Sequence, residues 1–124
     1  MNIITLILAI IAVESSGNDL AVGDNGDAYG CLQIHACYVQ DASEYAKEEW
    51  NHLDAFDRDT SIEIFIAYMS RYATEDRLGR PVTIEDIARI HNGGPNGYKK
   101  DATIKYWKKV EAELISRGAI ASYN

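Results

Sequence analysis

The chain has 124 residues, 47% of them hydrophobic, which is enough to fill one core and fits a single domain over residues 1–124. A formal charge of −7 argues against a nucleic-acid partner, because phosphate binding needs a surplus of Lys and Arg. With only two prolines, no low-complexity stretch and no repeat of solenoid period, disorder and repeat architectures are excluded as well.

Met1 to Val13 has the apolar character of a signal-peptide core, but no basic residue precedes it and no small-residue cleavage site follows. The run is also too short to span a bilayer. Ile7, Ile10, Ile11 and Glu14 fall at i, i+3, i+4 and i+7, one face of a helix. The expectation is a buried core helix from about Ile3 to Ser16, stopped by Gly17-Asn18, in a chain mature from residue 1 with no export signal of its own.

Residues 17–30 are rich in Gly, Asn and Asp, the composition of a loop or small hairpin. Cys31 to Val39 is expected to begin a helix, and Asp41 to start a further helical stretch ending near Leu53. Two cysteines, Cys31 and Cys37, make no disulfide framework. Their spacing permits either a small loop closure or free buried thiols, and no zinc site or other metal is expected.

Thr60-Ser-Ile-Glu63 has capping-box spacing, and the helix after it lines up Ile62, Phe65, Ile66, Met69 and Ala73 as a core stripe. Thr83-Ile-Glu-Asp86 is a second start signal, for a helix with Ile84, Ile87, Ala88 and His91 on one side. Asn92 to Gly97 ends it in a turn-rich loop. A last helix, about Ala102 to Arg117, packs through Thr103, Trp107, Val110 and Leu114, and Gly118 terminates it. The fold class is therefore α+β and predominantly α-helical: five or six short helices around one hydrophobic helix, with a small hairpin. Loops 17–30 and 92–98 are the candidate walls of a cleft.

Glu14 is the informative residue. A carboxyl on the buried face of an apolar helix loses hydration, which favours its neutral form. A neutral carboxylic acid is what glycosidic-bond cleavage needs to protonate the leaving oxygen. The competing reading is a half-exposed glutamate at a fraying helix end.

Four segments then share one order. Glu14-Ser-Ser-Gly-Asn18, Ala28-Tyr-Gly-Cys-Leu-Gln-Ile34, Ala88-Arg-Ile-His-Asn-Gly-Gly-Pro95 and Thr103-Ile-Lys-Tyr-Trp-Lys-Lys-Val110 resemble the signatures of the lysozyme-like superfamily. The members they resemble are lytic transglycosylases and goose-type lysozymes, as in phage-type endolysins. The resemblance implies a lysozyme-like fold with Glu14 as general acid. It also implies Ser15, Gln33, His91 and Asn92 beside a sugar-binding groove; His91 stands where many relatives carry tyrosine. Gly23-Asp-Asn-Gly26 resembles the goose-type stretch whose aspartate positions water, which makes Asp24 the candidate second carboxylate and Asp27 the reserve. A turn-forming role for Asp24 competes with this. A further goose-type acidic position is His35 here, so the carboxylate set is incomplete. Tyr29, Tyr98, Tyr106 and Trp107 are potential sugar-stacking residues; Tyr29 and Tyr98, in loops, are the better cleft candidates, whereas Trp107 is assigned to the core.

The implied substrate is bacterial peptidoglycan, cut between N-acetylmuramic acid and N-acetylglucosamine without a cofactor, by hydrolysis or by anhydro-forming transglycosylation. A non-catalytic glycan-binding or virion module is the alternative. The expected protein is a monomer with no stable membrane insertion, acting on the wall from the host cytoplasm or from a virion. Five of the twelve basic residues, Lys99, Lys100, Lys105, Lys108 and Lys109, form a patch that suits an anionic wall or a merely solvated helix face.

Overall fold

The computed structural model describes residues 1–122, which fold as six α-helices and one antiparallel two-stranded hairpin. Helix α1, Ile3–Ser15, starts where the Asn2 side chain accepts the Thr5 backbone N–H and stops where Ser16 turns left-handed at φ 54°. Leu6, Ile7, Ala9, Ile10 and Ile11 are buried, while Ile4 and Leu8 on the opposite face remain 48% and 41% exposed. Helix α1 is therefore a wall of the core, packed on the last helix, and is not enclosed on all sides.

Strands β1 (Val22–Gly23) and β2 (Ala28–Tyr29) pair as Val22 with Tyr29 and Gly23 with Ala28. A 3-10 turn, Asp24–Gly26, joins them. The small hairpin expected in residues 17–30 is this one. Gly30 follows at φ 81°, and a Cβ there would sit 1.9 Å from the Ala55 carbonyl oxygen. Only glycine lets the hairpin close onto the 3-10 turn His52–Phe56.

Three helix assignments move. Cys31–Gln33 are turns and Ile34 bridges back to Tyr29, so α2 begins only at Ala36. It then runs through Asp41 to Ala46, where Lys47 ends it in the left-handed region; no new helix starts at Asp41 and none reaches Leu53. Helix α3, Arg58–Tyr72, starts one turn before Thr60 because Asp57 is the better cap. Its carboxylate accepts both the Thr60 N–H (3.0 Å) and the Thr60 hydroxyl (2.8 Å). The buried face is Ser61, Ile64, Phe65 and Tyr68 together with Met69, so Ile66 is left exposed and Ile62 only partly covered. A short helix that the sequence patterns do not announce, α4 (Glu75–Leu78), is capped by Thr74.

Helix α5, Ile84–Gly93, carries the expected capping box: Thr83 accepts from Asp86 N–H and Asp86 accepts from Thr83 N–H. Helix α6, Ile104–Ser116, buries Tyr106, Trp107, Val110 and Leu114. Leu6, Ile7 and Ile10 of α1 join Leu32, Phe65, Ile90, Val110 and Leu114 in one core. Each fully buried side chain of this kind is worth about 1.5–3 kcal/mol of transfer free energy, and that pins the helix ends on which the site depends. None of the described helices is long and apolar enough to cross a membrane.

Candidate active site

The C-terminal end of α1, the hairpin, the start of α2 and the end of α5 converge on a cleft of about 260 Å³. Glu14 and Asp24 both line it, with Gln33, His35, His91 and Asn92.

Glu14 reaches the cleft from the last turn of α1, with its side chain 18% exposed. Two neighbours converge on one carboxyl oxygen. The Tyr106 hydroxyl donates to Oε2 at 3.1 Å, and His91 Nε2 lies 3.2 Å from the same atom. His91 is buried, and its protonation pattern follows from its partners. Nε2 is 2.9 Å from the Leu32 carbonyl, which only accepts, so Nε2 carries a proton. Nδ1 is 2.9 Å from the Tyr38 hydroxyl, which donates to it when the imidazole is neutral. Burial pushes the Tyr38 hydroxyl well above its usual range, with Tyr68 and Glu14 adding to the effect. Burial does the same for Tyr106, with the Glu14 charge and hydrogen bond adding. Both phenols are thus fixed donors, and Oε1 of Glu14 is the oxygen that Tyr106 and His91 leave free.

Asp24 stands on the turn between the strands, at φ 49°, with its side chain 69% exposed. Among the described residues no backbone N–H bonds its carboxylate; its partner is His35 Nε2, 2.8 Å from Oδ2. The turn therefore does not use the Asp24 carboxylate. Asp27 faces a neighbouring hollow of about 280 Å³, which shares His35 and Cys37 with the cleft.

The other candidates divide. Gln33, itself at φ 52°, sends Nε2 to the carbonyls of Ala21 and Gly30, which ties the hairpin to the cleft floor. Asn92 lines the cleft from the end of α5. Ser15 is a strut: its hydroxyl is shared between the carbonyls of Cys31 (2.8 Å) and Ile11 (3.1 Å), fixing the helix end that carries Glu14. Tyr29 is stacked on His52 and Phe56 and borders the second hollow, outside the cleft's lining. Tyr98 is also outside that lining, packed against the core near Arg77 and Lys99. Cys31 is a free thiol, buried and pushed up by that burial, whereas Cys37 is free and exposed at the cleft. Among the described residues no group of His, Cys, Asp and Glu is arranged to hold a metal ion.

Tyr38 is a site residue to which the sequence patterns assign no role, whereas Tyr106, a potential sugar-stacking residue by its type, and His35, at the place of a missing carboxylate, serve the site through hydrogen bonds instead. Tyr106 is the tyrosine of the Thr103-x-x-Tyr segment, so its signal is present in that motif. Tyr38 has no such signal, because its hydroxyl meets His91 across 53 residues of chain.

A mostly helical domain with one short hairpin and two carboxylates on one cleft has the architecture of the lysozyme-like fold. The match to known families narrows this: the chain belongs to the Destabilase family, whose model matches residues 5–113. It is 33% identical over 100 residues to an invertebrate-type lysozyme 6 of Caenorhabditis elegans, covering 73% of this chain and 72% of that protein. It is 38% identical over 82 residues to an invertebrate-type lysozyme of Ruditapes philippinarum, where the match spans 66% of this chain and only 57% of the relative's length. Among solved structures, Tapes japonica lysozyme superimposes with a TM-score of 0.71 at 30% identity, covering 86% of each chain. An inhibitor-bound lysozyme from Meretrix lusoria superimposes with a TM-score of 0.73 at 31% identity, covering 87% of each. The motif resemblance thus holds at the level of the lysozyme-like fold, and the relatives are invertebrate-type and not specifically goose-type, transglycosylase or phage proteins.

Proposed function

We propose that this protein is a glycosidase that hydrolyses the β-1,4 bond between N-acetylmuramic acid and N-acetylglucosamine in bacterial peptidoglycan. The observation that carries the reading is Glu14, held at a cleft by Tyr106 and His91 with a second carboxylate, Asp24, on the same cleft.

In this mechanism the neutral Glu14 carboxyl gives its proton to the bridge oxygen as the sugar carbon–oxygen bond breaks. Glu14 is left as a carboxylate. The Tyr106 hydroxyl already donates toward that developing charge at Oε2, and the His91 ring lies 3.2 Å from the same oxygen, so the Tyr106 donor needs no reorganisation when the charge forms. With Oε2 occupied, Oε1 is the oxygen that delivers the proton. Water supplies the hydroxyl that ends on the sugar carbon, with the Asp24 carboxylate assisting, and the proton that this water loses restores Glu14 through solvent before the next cycle. Gln33, His91 and Asn92 shape the cleft around the glycan. The relatives carry the name lysozyme, which supports hydrolysis.

The test is clearing of bacterial wall suspensions by the wild type and by Glu14→Gln, followed by mass spectrometry of the fragments. Clearing by wild type alone, with ordinary reducing ends, is the expected result. Anhydro-muramic ends would identify a transglycosylase, and clearing by neither protein would leave a glycan-binding module.

A further inference from the structure

Asp24 raises a physical problem for that mechanism. A carboxylate that is 69% exposed on a two-strand hairpin is free to rotate, whereas one that acts in the reaction must be held in place. The hairpin does not supply the restraint, since among the described residues no backbone N–H reaches the Asp24 side chain. It also holds Asp24 and Asn25 in the left-handed region, at φ 49° and 56°, without the carboxylate–backbone bond that usually accompanies such a conformation.

The restraint comes from a different element. His35 precedes α2 in the N-cap position, where a side chain ordinarily turns back onto the first helical N–H groups, but its ring makes no capping bond. It points instead across to Asp24, with Nε2 at 2.8 Å from Oδ2. The ring lines both the cleft and the neighbouring hollow, so this pair is part of the partition between them.

We propose that His35 is a positioning residue for Asp24. Its Nε2–H holds Oδ2 and orients the carboxylate, leaving Oδ1 as the oxygen free to act in the hydrolysis. Resting on the hydrolase reading, this adds a residue that acts only through Asp24 and touches no reacting atom.

The experiment is a double-mutant cycle on purified full-length protein, with kcat and KM measured on wall fragments for wild type, His35→Ala, His35→Gln, Asp24→Asn and the Asp24→Asn/His35→Ala pair. His35→Ala is expected to lower kcat about tenfold with KM changed less than about twofold, as loss of orientation without loss of binding requires. His35→Gln, which keeps an N–H donor, should recover most of that loss. The double variant should be no slower than Asp24→Asn alone. Additive losses, a rise in KM in place of the fall in kcat, or a normal His35→Ala enzyme beside a crippled Asp24→Asn would each overturn the assignment. An Asp24→Asn enzyme as fast as wild type would instead sink the catalytic role of Asp24, on which the proposal depends. Thermal melts of the same samples separate either result from misfolding. Should His35→Ala unfold, His35→Gln decides the matter: near-normal kcat supports the assignment, and a loss as large as that of Asp24→Asn overturns it.

Discussion

Tyr106 and Glu14 lie 92 residues apart in sequence, and the Tyr106 hydroxyl donates to Glu14 Oε2 at 3.1 Å. This bond joins α6, whose other buried residues are ordinary core, to the last turn of α1. Tyr106 is 9% exposed, and its ring packs in the core while its hydroxyl reaches the Glu14 carboxyl.

Removing only that hydroxyl separates packing from chemistry. Tyr106→Phe keeps the ring and should lower kcat about tenfold, the worth of one hydrogen bond to a charged group, with KM nearly unchanged. Steady-state kinetics on wall fragments checks this. A higher KM with kcat intact would mean that Tyr106 serves glycan binding instead.

The buried phenols also predict an alkaline signature. Burial raises Tyr38, Tyr68 and Tyr106 above the ordinary phenol value, and nearby anions or phenols add to it. A group whose folded pKa is raised contributes stability below the unfolded value, about 10, and that contribution is lost as pH rises beyond it. Phenolate absorbance should therefore show these three of the eight tyrosines ionising only together with unfolding. Independent ionisation of all eight in a chain that circular dichroism shows to be still folded would contradict the burial of these rings.

How much of this is legible in advance depends on the range of the interaction. Local signals read well: the Thr83–Asp86 capping box, the hairpin in a Gly/Asn/Asp-rich stretch, and the burial of Ile7, Ile10 and Ile11 ahead of Glu14. Thr60 misleads because Asp57, three residues earlier, is the cap: its carboxylate accepts both the Thr60 N–H and the Thr60 hydroxyl, which places Thr60 inside the first turn. The stripe on α3 is ambiguous because Ile66 and Ile64 are equally apolar, and only the packing partner distinguishes them. Ser15, Tyr29 and Tyr98 carry residue types suited to sugar contact, yet their hydroxyl or ring is committed to carbonyls and neighbouring side chains that no local pattern encodes. The Glu14–His91–Tyr38 network joins three helices, and pair contacts of that kind have no sequence period.

Gly30 tests the packing that sets the hairpin against its support. An alanine there would need φ 81° and would drive its Cβ to 1.9 Å from the Ala55 carbonyl oxygen, an atom of backbone that cannot rotate away. Gly30→Ala should cost about 2–3 kcal/mol, read as a lower denaturation midpoint with an unchanged slope. Activity should fall with it, because the same hairpin carries Asp24. A stable and active Gly30→Ala would show that the hairpin moves freely against residues 52–56.

Asp86 is the carboxylate on which acid stability should turn. It is 3% exposed, and burial alone would raise its pKa; the Arg80 guanidinium, bonded to both oxygens at 2.7 and 2.8 Å, and the two hydrogen bonds with Thr83 outweigh that and hold it below the usual carboxylate value. A depressed folded-state pKa means that the group stabilises the fold above its unfolded value, about 3.9, and that this stabilisation disappears as pH falls through the folded one. Arg80 is half exposed, so solvent discounts the pair, and Asp86→Asn is expected to cost only about 1–2 kcal/mol at neutral pH. Thermal melts of wild type and Asp86→Asn should differ by several degrees at pH 7 and converge as the pH is taken below about 4, because the wild-type carboxyl then becomes neutral too. A gap that persists unchanged into strong acid would assign the loss to packing or to the helix cap, and would remove the Arg80–Asp86 charge pair as its source.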